Sequence, residues 1–305
     1  MLSVLMLLLA GASPAQQPQE GETPVFRSDV ALVRVDVQVL GKNGRVLSGF
    51  AKADFRVLDE GTPQPIAYFG RESDPLDVLL LLDVSGSMRR SLEEMAASAA
   101  SALKALLPKD QAGVILFARR TELRQELTSQ FSAIQTGIRQ AMDEQKLGAG
   151  SLINPALLAA AELMEKQPVR GRRAVLILTD NEGLQYQSPD DAVIAKFFAA
   201  DTVLNALVVR NKKPAEPRRI VNPDFTPPNV FGIAEATGGE AVAAKAGETF
   251  GPMLERMRTR YSLQYAAPQG TPGSFRRIQV ELTAEALKRN PDARVRARKG
   301  YFVKP

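Results

Sequence analysis

The chain has 305 residues, 45% of them apolar and 24% charged, and carries a net charge of +5; these values suit a globular protein of about two domains with a sizeable core. It contains no Cys and no His, which excludes disulfides, thiolate and imidazole metal sites, and any Ser–His–Asp or Cys–His nucleophile within the chain. A metal site here must be built from oxygen.

The N-terminus carries an apolar stretch from Val4 to Ala10 followed by small residues. It is too short to span a bilayer as a helix and reads as a signal peptide over residues 1–15, with cleavage after Ala12 or Ala15. Export to a periplasmic or extracellular location follows from that reading. No later stretch reaches about 18 apolar residues, so no transmembrane segment is expected.

Gln16 to Thr23 reads as a polar leader, and residues 24–72 as a β segment. In Ala31–Leu40 the apolar Val33, Val35, Val37 and Val39 alternate with Arg34, Asp36 and Gln38, the period of a half-buried strand. Gly41-Lys42-Asn43-Gly44 makes a turn. Phe55–Leu58 and Ile66–Phe69 follow as short strands, separated by a turn over Glu60-Gly61-Thr62-Pro63.

From Leu76 the pattern changes to strand and helix in alternation. Val78–Leu82 is a continuous apolar run, the mark of a strand buried on both faces of a parallel sheet. A helix is expected over Arg90–Leu107, a strand over Gly113–Phe117, an edge strand over Thr121–Leu127 and helices over Ser129–Met142 and Pro155–Lys166. Strand Ala174–Thr179 comes next, then a helix from Pro189 to Ala200 capped by Ser188, and strand Val203–Val209. Asn211–Pro228 is rich in Pro and charge and reads as a loop. A short helix Val230–Thr237, a strand Ala241–Ala244 and a helix Glu248–Arg260 complete the alternation.

Residues 261–305 return to strands: Tyr261–Tyr265, Phe275–Leu282 and Ala293–Phe302. The fold class that follows is α/β, a doubly wound and mostly parallel sheet over residues 74–260, inserted in or flanked by a small all-β domain. Three strands alone are close to the minimum for stability, so the C-terminal β segment is expected to pack with residues 24–72. Basic residues crowd the C-terminal part, with Arg294, Arg296 and Arg298 spaced along one expected strand face. No aromatic interleaving or nucleic-acid motif accompanies them, so they read as solvated faces and no nucleic-acid partner is expected.

The chemistry concentrates where apolar strands end. Asp83, Ser85 and Ser87 follow the run Val78–Leu82 at alternate positions. Ser151 sits in the Gly-rich loop Gly148-Ala149-Gly150-Ser151 before a helix, and Asp180 directly follows Val175–Thr179. In open α/β sheets, ligands bind beyond the carboxyl ends of the strands, where these three loops could converge. Two carboxylates and several hydroxyls suit a hard divalent cation. Taken singly, each piece has a plainer role: Ser87 as a helix cap, Ser151 as a helix-start residue, Asp180 as a turn former.

The segment Asp83-Val84-Ser85-Gly86-Ser87-Met88 after an apolar strand, the Ser151 loop and Leu178-Thr179-Asp180 together resemble the von Willebrand factor type A domain, in the form carried by bacterial secreted proteins. The resemblance spans Asp77 to Arg260. It implies a metal-ion-dependent adhesion site at Asp83, Ser85, Ser87, Ser151 and Asp180. It further implies Mg²⁺, or Mn²⁺ or Ca²⁺ in its place, and protein binding as the role. Ser151 stands where the family usually has Thr, which keeps the hydroxyl with a less restricted rotamer. Asn181 stands where Gly commonly follows the Asp, and Asn tolerates the left-handed conformation.

The expected function is thus an exported, adhesion-type binding module, not an enzyme, whose protein partner offers an Asp or Glu to complete the cation's coordination. Two alternatives remain open on the sequence: a metal-assisted hydrolase, for which Glu182 is the nearest candidate base, and a structural component of an envelope assembly.

Overall fold

The computed structural model describes residues 31–70, 74–144, 146–209, 227–243 and 245–304. The expected signal peptide and most of the expected loop 211–228 lie outside them. Four strands come first: β1 (Leu32–Leu40), β2 (Phe55–Asp59), β3 (Thr62–Gln64) and β4 (Tyr68–Gly70). The alternating part follows as β5 (Leu76–Asp83), α1 (Arg89–Ala102), β6 (Gln111–Phe117), β7 (Thr121–Thr128), α2 (Phe131–Ala141), α3 (Ile153–Lys166), β8 (Arg172–Thr179), α4 (Asp190–Ala199), β9 (Val203–Val208), α5 (Val230–Thr237), β10 (Ala241–Ala243) and α6 (Ala246–Arg258). The chain closes with β11 (Tyr261–Ala266), β12 (Phe275–Leu282), α7 (Ala284–Arg289), β13 (Arg294–Arg296) and β14 (Gly300–Phe302).

Six strands form the central sheet in the order β10-β9-β8-β5-β6-β7. All neighbours are parallel except β7, which runs antiparallel to β6 at the edge. Every residue of β5 is buried, because both of its faces are covered. Val78, Leu80 and Leu82 join a core with Leu92 and Met95 of α1, Ile134 of α2 and Phe250 of α6. Leu79 and Leu81 point the other way, into a core with Leu157 of α3, Phe197 of α4 and Ile233 of α5. Strict alternation of side chains along a strand, with both faces apolar, is what makes the sheet doubly wound. The chain leaves β5 for β6 on one side and later returns to β8 on the other, so strand order reverses between β5 and β8, where such folds place their ligands.

The flanking strands pair across the whole length of the chain. β1 lies between β11 and β13, with β4 beyond β11, and β12 lies between β2 and β14, with β3 beyond β2. Val35, Val37, Phe55, Leu263 and Tyr265 meet in a third apolar cluster between them. Residues 31–305 nevertheless form one compact unit. Among the described residues, no helix is long and apolar enough to cross a membrane.

Four local expectations are corrected. The turn expected over Glu60–Pro63 is only Glu60-Gly61, both at positive φ (48° and 77°), and Thr62–Gln64 already pairs with β2. Pro63 is tolerated there because β3 is an edge strand. The strand expected from Ile66 begins only at Tyr68. Ser188 does not cap α4: its hydroxyl donates to the Tyr186 carbonyl at 3.3 Å, and Pro189 occupies the cap position. The single strand expected over Ala293–Phe302 is two, because the chain crosses between sheets at Ala297–Lys299; β13 pairs with β1 and β14 with β12. Arg298 is therefore off the strand that carries Arg294 and Arg296, and α7 occupies the stretch before them.

The basic C-terminal part is also not the solvated face the sequence suggested. Arg296 and Arg256 both pair with Glu240, Arg298 with Asp201, Arg276 with Asp59 and Arg258 with Asp110. Arg260 is buried, donates to the Gly238 carbonyl at 2.5 Å, and has its pKa lowered by desolvation to about 10. Arg172 is fully buried at the start of β8, and its Nη1 donates to the carbonyls of Met257, Arg258 and Arg260 at 3.3, 2.7 and 2.9 Å. These arginines serve as polar joints between the parallel sheet, the end of α6 and the flanking strands.

Candidate metal centre

The site forms where β5 and β8 end side by side. Leu82 pairs with Leu178 in the ladder, so the next residues, Asp83 and Thr179, end β5 and β8 side by side, with Asp180 one step on. Val84 continues the ladder by donating to the Phe117 carbonyl at 2.9 Å, and Val209 donates to the Thr179 carbonyl at 3.0 Å.

The Ser151 loop is held against the same edge. Leu152 N donates to the Ala118 carbonyl at 2.9 Å, and Leu184 N to the Ser151 carbonyl at 3.0 Å. Gly150 has φ +82°, a left-handed value that glycine adopts at no steric cost and that turns the chain before Ser151. Asn181 likewise has φ 58°, the left-handed conformation expected for an Asn in that place.

These loops bring all five sequence-derived residues into one hydrogen-bonded cluster. Asp83 is fully buried. Its Oδ1 accepts from Ser85 N and from Ser151 Oγ, both at 3.0 Å. Asp180 Oδ2 accepts from Ser87 Oγ at 2.6 Å, and its Oδ1 from Glu182 N at 3.0 Å. The hydroxyls of Ser85 and Ser87 lie 3.3 Å apart. The plainer roles therefore fail for two serines. Ser87 does not cap α1, whose cap position is Met88, and Ser151 spends its hydroxyl on Asp83. Asp180 combines both readings, forming a turn with Glu182 N and a contact with Ser87.

One residue of the cluster escaped the sequence reading. Thr179 Oγ1 donates to Asp83 Oδ2 at 2.9 Å and accepts from Asn181 N at 3.1 Å. The signal was present in a Thr ending an otherwise apolar strand, but only the pairing of β5 with β8 gives it a partner.

The electrostatics suit a cation. Among the described residues, Asp83 is held only by neutral donors; burial raises its carboxyl above the ordinary range, and hydrogen bonds from Ser85, Thr179 and Ser151 oppose that shift without cancelling it. A buried carboxylate lacking a counter-charge is costly. Each hydroxyl gives away its one proton and keeps lone pairs, and a carboxylate has about four lone-pair sites. The oxygen-only set thus fits Mg²⁺, Mn²⁺ or Ca²⁺, with Asp83, Ser85, Ser87, Ser151 and Asp180 able to hold the ion directly or through water. Among the described residues no group of three or more Asp, Glu, His or Cys converges, so two carboxylates and hydroxyls are the whole donor set here.

Residues 78–183 match the family model of the von Willebrand factor type A domain. No curated protein matches. Among solved structures, an aerotolerance-related membrane protein from Bacteroides fragilis is 19% identical, covering 60% of this chain and 98% of that one, with a TM-score of 0.46. BatB from Bacteroides thetaiotaomicron is 18% identical, covering 60% and 97%, with a TM-score of 0.46. A von Willebrand factor type A protein from Catenulispora acidiphila is 12% identical, covering 92% and 76%, also at 0.46. The matched stretch runs from the strand that delivers Asp83 to the loop just past Asp180, and over it the chain is similar to a von Willebrand factor type A domain.

Proposed function

We propose that this domain binds a protein partner through a divalent cation, Mg²⁺ or a similar ion, held by Asp83, Ser85, Ser87, Ser151 and Asp180. A partner Asp or Glu completes the coordination. The observation that carries this reading is the fully buried Asp83, linked to Ser85, Ser151 and Thr179 but, among the described residues, to no cation. A bound ion supplies the missing charge. With two carboxylates against two positive charges the centre stays near neutral, so it accepts an anionic ligand. Binding is favoured over hydrolysis because Glu182, the nearest candidate base, is exposed on the turn that follows Asp180 rather than buried against the cluster. Export through the N-terminal apolar stretch would place this site outside the cytoplasm.

Calorimetric titration with Mg²⁺ and Mn²⁺ tests the reading. The unaltered chain should bind one ion, and Asp83→Ala should bind none while keeping its circular dichroism spectrum. Equal ion affinity in the two proteins would overturn the proposal.

A further inference from the structure

The edge of the sheet that carries the cation cluster also carries four exposed arginines, Arg89, Arg90, Arg119 and Arg120. Arg89 and Arg90 open α1, directly after Ser87 and Met88. Arg119 and Arg120 form the turn between β6 and β7. That turn is fastened to the Ser151 loop: Arg120 N donates to the Leu147 carbonyl at 3.0 Å, and Leu152 N to the Ala118 carbonyl at 2.9 Å. A Cβ built on Gly148 would come within 3.1 Å of Arg119 Cβ. The arginines thus sit at the start of α1, just past Ser87, and on the turn fastened to the Ser151 loop.

Their charge is little used within the chain. Arg90 reaches Glu94 at 3.3 Å, yet its side chain stays 90% exposed. Arg120 donates to the Lys146 carbonyl. Among the described residues, neither Arg89 nor Arg119 forms an ion pair. Glu182, exposed beside Asp180, is the acidic residue closest in sequence to the cluster, one negative charge against the four arginines.

We infer that the partner presents a run of acidic residues, one reaching the cation and its neighbours meeting this ring of arginines; the inference rests on the carboxylate–cation reading above. A single carboxylate would satisfy the ion and leave four positive charges facing solvent. Guanidinium groups match carboxylates in planar, two-point geometry, and a ring of one sign steers an oppositely charged segment toward the centre. A peptide is favoured over a nucleic acid because neither the first turn of α1 nor the β6–β7 turn carries an aromatic on which a base could stack.

The test uses the full chain saturated with Mg²⁺ and two labelled peptides of equal length, otherwise Gly and Ser, one with a single Glu and one with four consecutive Glu. In about 20 mM salt the four-Glu peptide should bind about tenfold tighter, and in about 500 mM salt the gap should close. The double variant Arg89→Glu, Arg119→Glu should lose the preference while still binding Mn²⁺ in a direct titration. Equal affinity for both peptides, with Mn²⁺ binding intact, overturns the arginine-ring inference and leaves the carboxylate–cation reading standing. Failure of the unaltered chain to bind Mn²⁺ overturns both. Tighter binding of a single-stranded DNA oligonucleotide than of the four-Glu peptide, unchanged by EDTA, overturns the acidic-peptide inference in favour of nucleic acid.

Discussion

Ser87 Oγ donates to Asp180 Oδ2 at 2.6 Å across 93 residues of chain. This contact ties the turn after β5 to the turn after β8, and with them the two ends at which strand order reverses. Ser87 itself is exposed, so the bond faces the side from which an ion and a partner arrive. Ser87→Ala should weaken Mn²⁺ binding by roughly tenfold or more, the cost of losing one charge-assisted contact. Because the residue is exposed, stability without metal should change by no more than about 1 kcal/mol. Titration calorimetry and urea unfolding in EDTA read the two quantities separately.

Asp83 and the ion lead to opposite effects of one substitution. Burial raises the Asp83 carboxyl above its ordinary value, so the ionised side chain opposes folding at neutral pH when no cation is present. Asp83→Asn keeps an oxygen for Ser85 N and Ser151 Oγ, and the Thr179 hydroxyl can rotate to accept from the new amide. In EDTA the variant should therefore melt higher than the unaltered chain. With Mg²⁺ at about a hundred times its Kd, the unaltered chain should gain roughly 2.7 kcal/mol and the variant nothing. Thermal melts in both conditions check whether the order of stability depends on the metal.

How much of this was legible in the sequence depends on the reach of each signal. The strand carrying Val78–Leu82 and the helix Val230–Thr237 rest on unbroken local patterns, and the structure places both where those patterns end. The three loops of the cluster were legible because each begins where an apolar strand stops or a helix starts. Thr179 was not, since a hydroxyl at a strand end gains meaning only from the neighbouring strand, and β5 and β8 are separated by about ninety residues. Arg172 and Arg260 were opaque for a related reason. Arg260 lay in a basic stretch that read as surface, yet its partner is the Gly238 carbonyl at the end of α5, and Arg172 serves carbonyls at and just past the end of α6; no local spacing announces either. The break between β13 and β14 depends on which of two sheets the chain joins, again a nonlocal choice.

Arg172 gives the largest stability effect expected of a single residue. One buried nitrogen serves three carbonyls, two in the last turn of α6, which a helix terminus leaves without partners, and that of Arg260 just past it. Arg172→Met fills part of the volume and removes the donor. With each buried carbonyl left unsatisfied costing about 1–3 kcal/mol, the loss should be at least about 3 kcal/mol. It should appear as a lower urea midpoint with Mn²⁺ affinity little changed, because Arg172 begins the strand whose opposite end carries the site. A comparable loss of ion affinity would mean that the start and end of β8 are coupled.

The flanking strands should give way at high pH for an identifiable reason. Tyr265 and Tyr301 both donate to Asp59 Oδ2, at 2.8 and 2.9 Å, while Arg276 Nε donates to Asp59 Oδ1 at 2.7 Å. Asp59 is fully buried. Burial, and then the hydrogen bond to Asp59, raise both phenols, Tyr301 to about 12 and Tyr265 further. A group that holds its proton more tightly when folded adds stability that is fully present below its unfolded value, near 10 for tyrosine, and that is lost as pH rises through the folded value. Stability should thus be level in this respect up to about pH 10 and fall steadily above it, toward pH 12 and beyond, as the unfolded chain releases protons that the fold retains. Tyr301→Phe should cost about 1 kcal/mol at pH 8 and make the decline above pH 10 shallower. Urea unfolding from pH 8 to pH 11, followed by the fluorescence and ultraviolet difference signals of tyrosine, measures both. An equal slope in the two proteins would show that Tyr301 does not carry the effect.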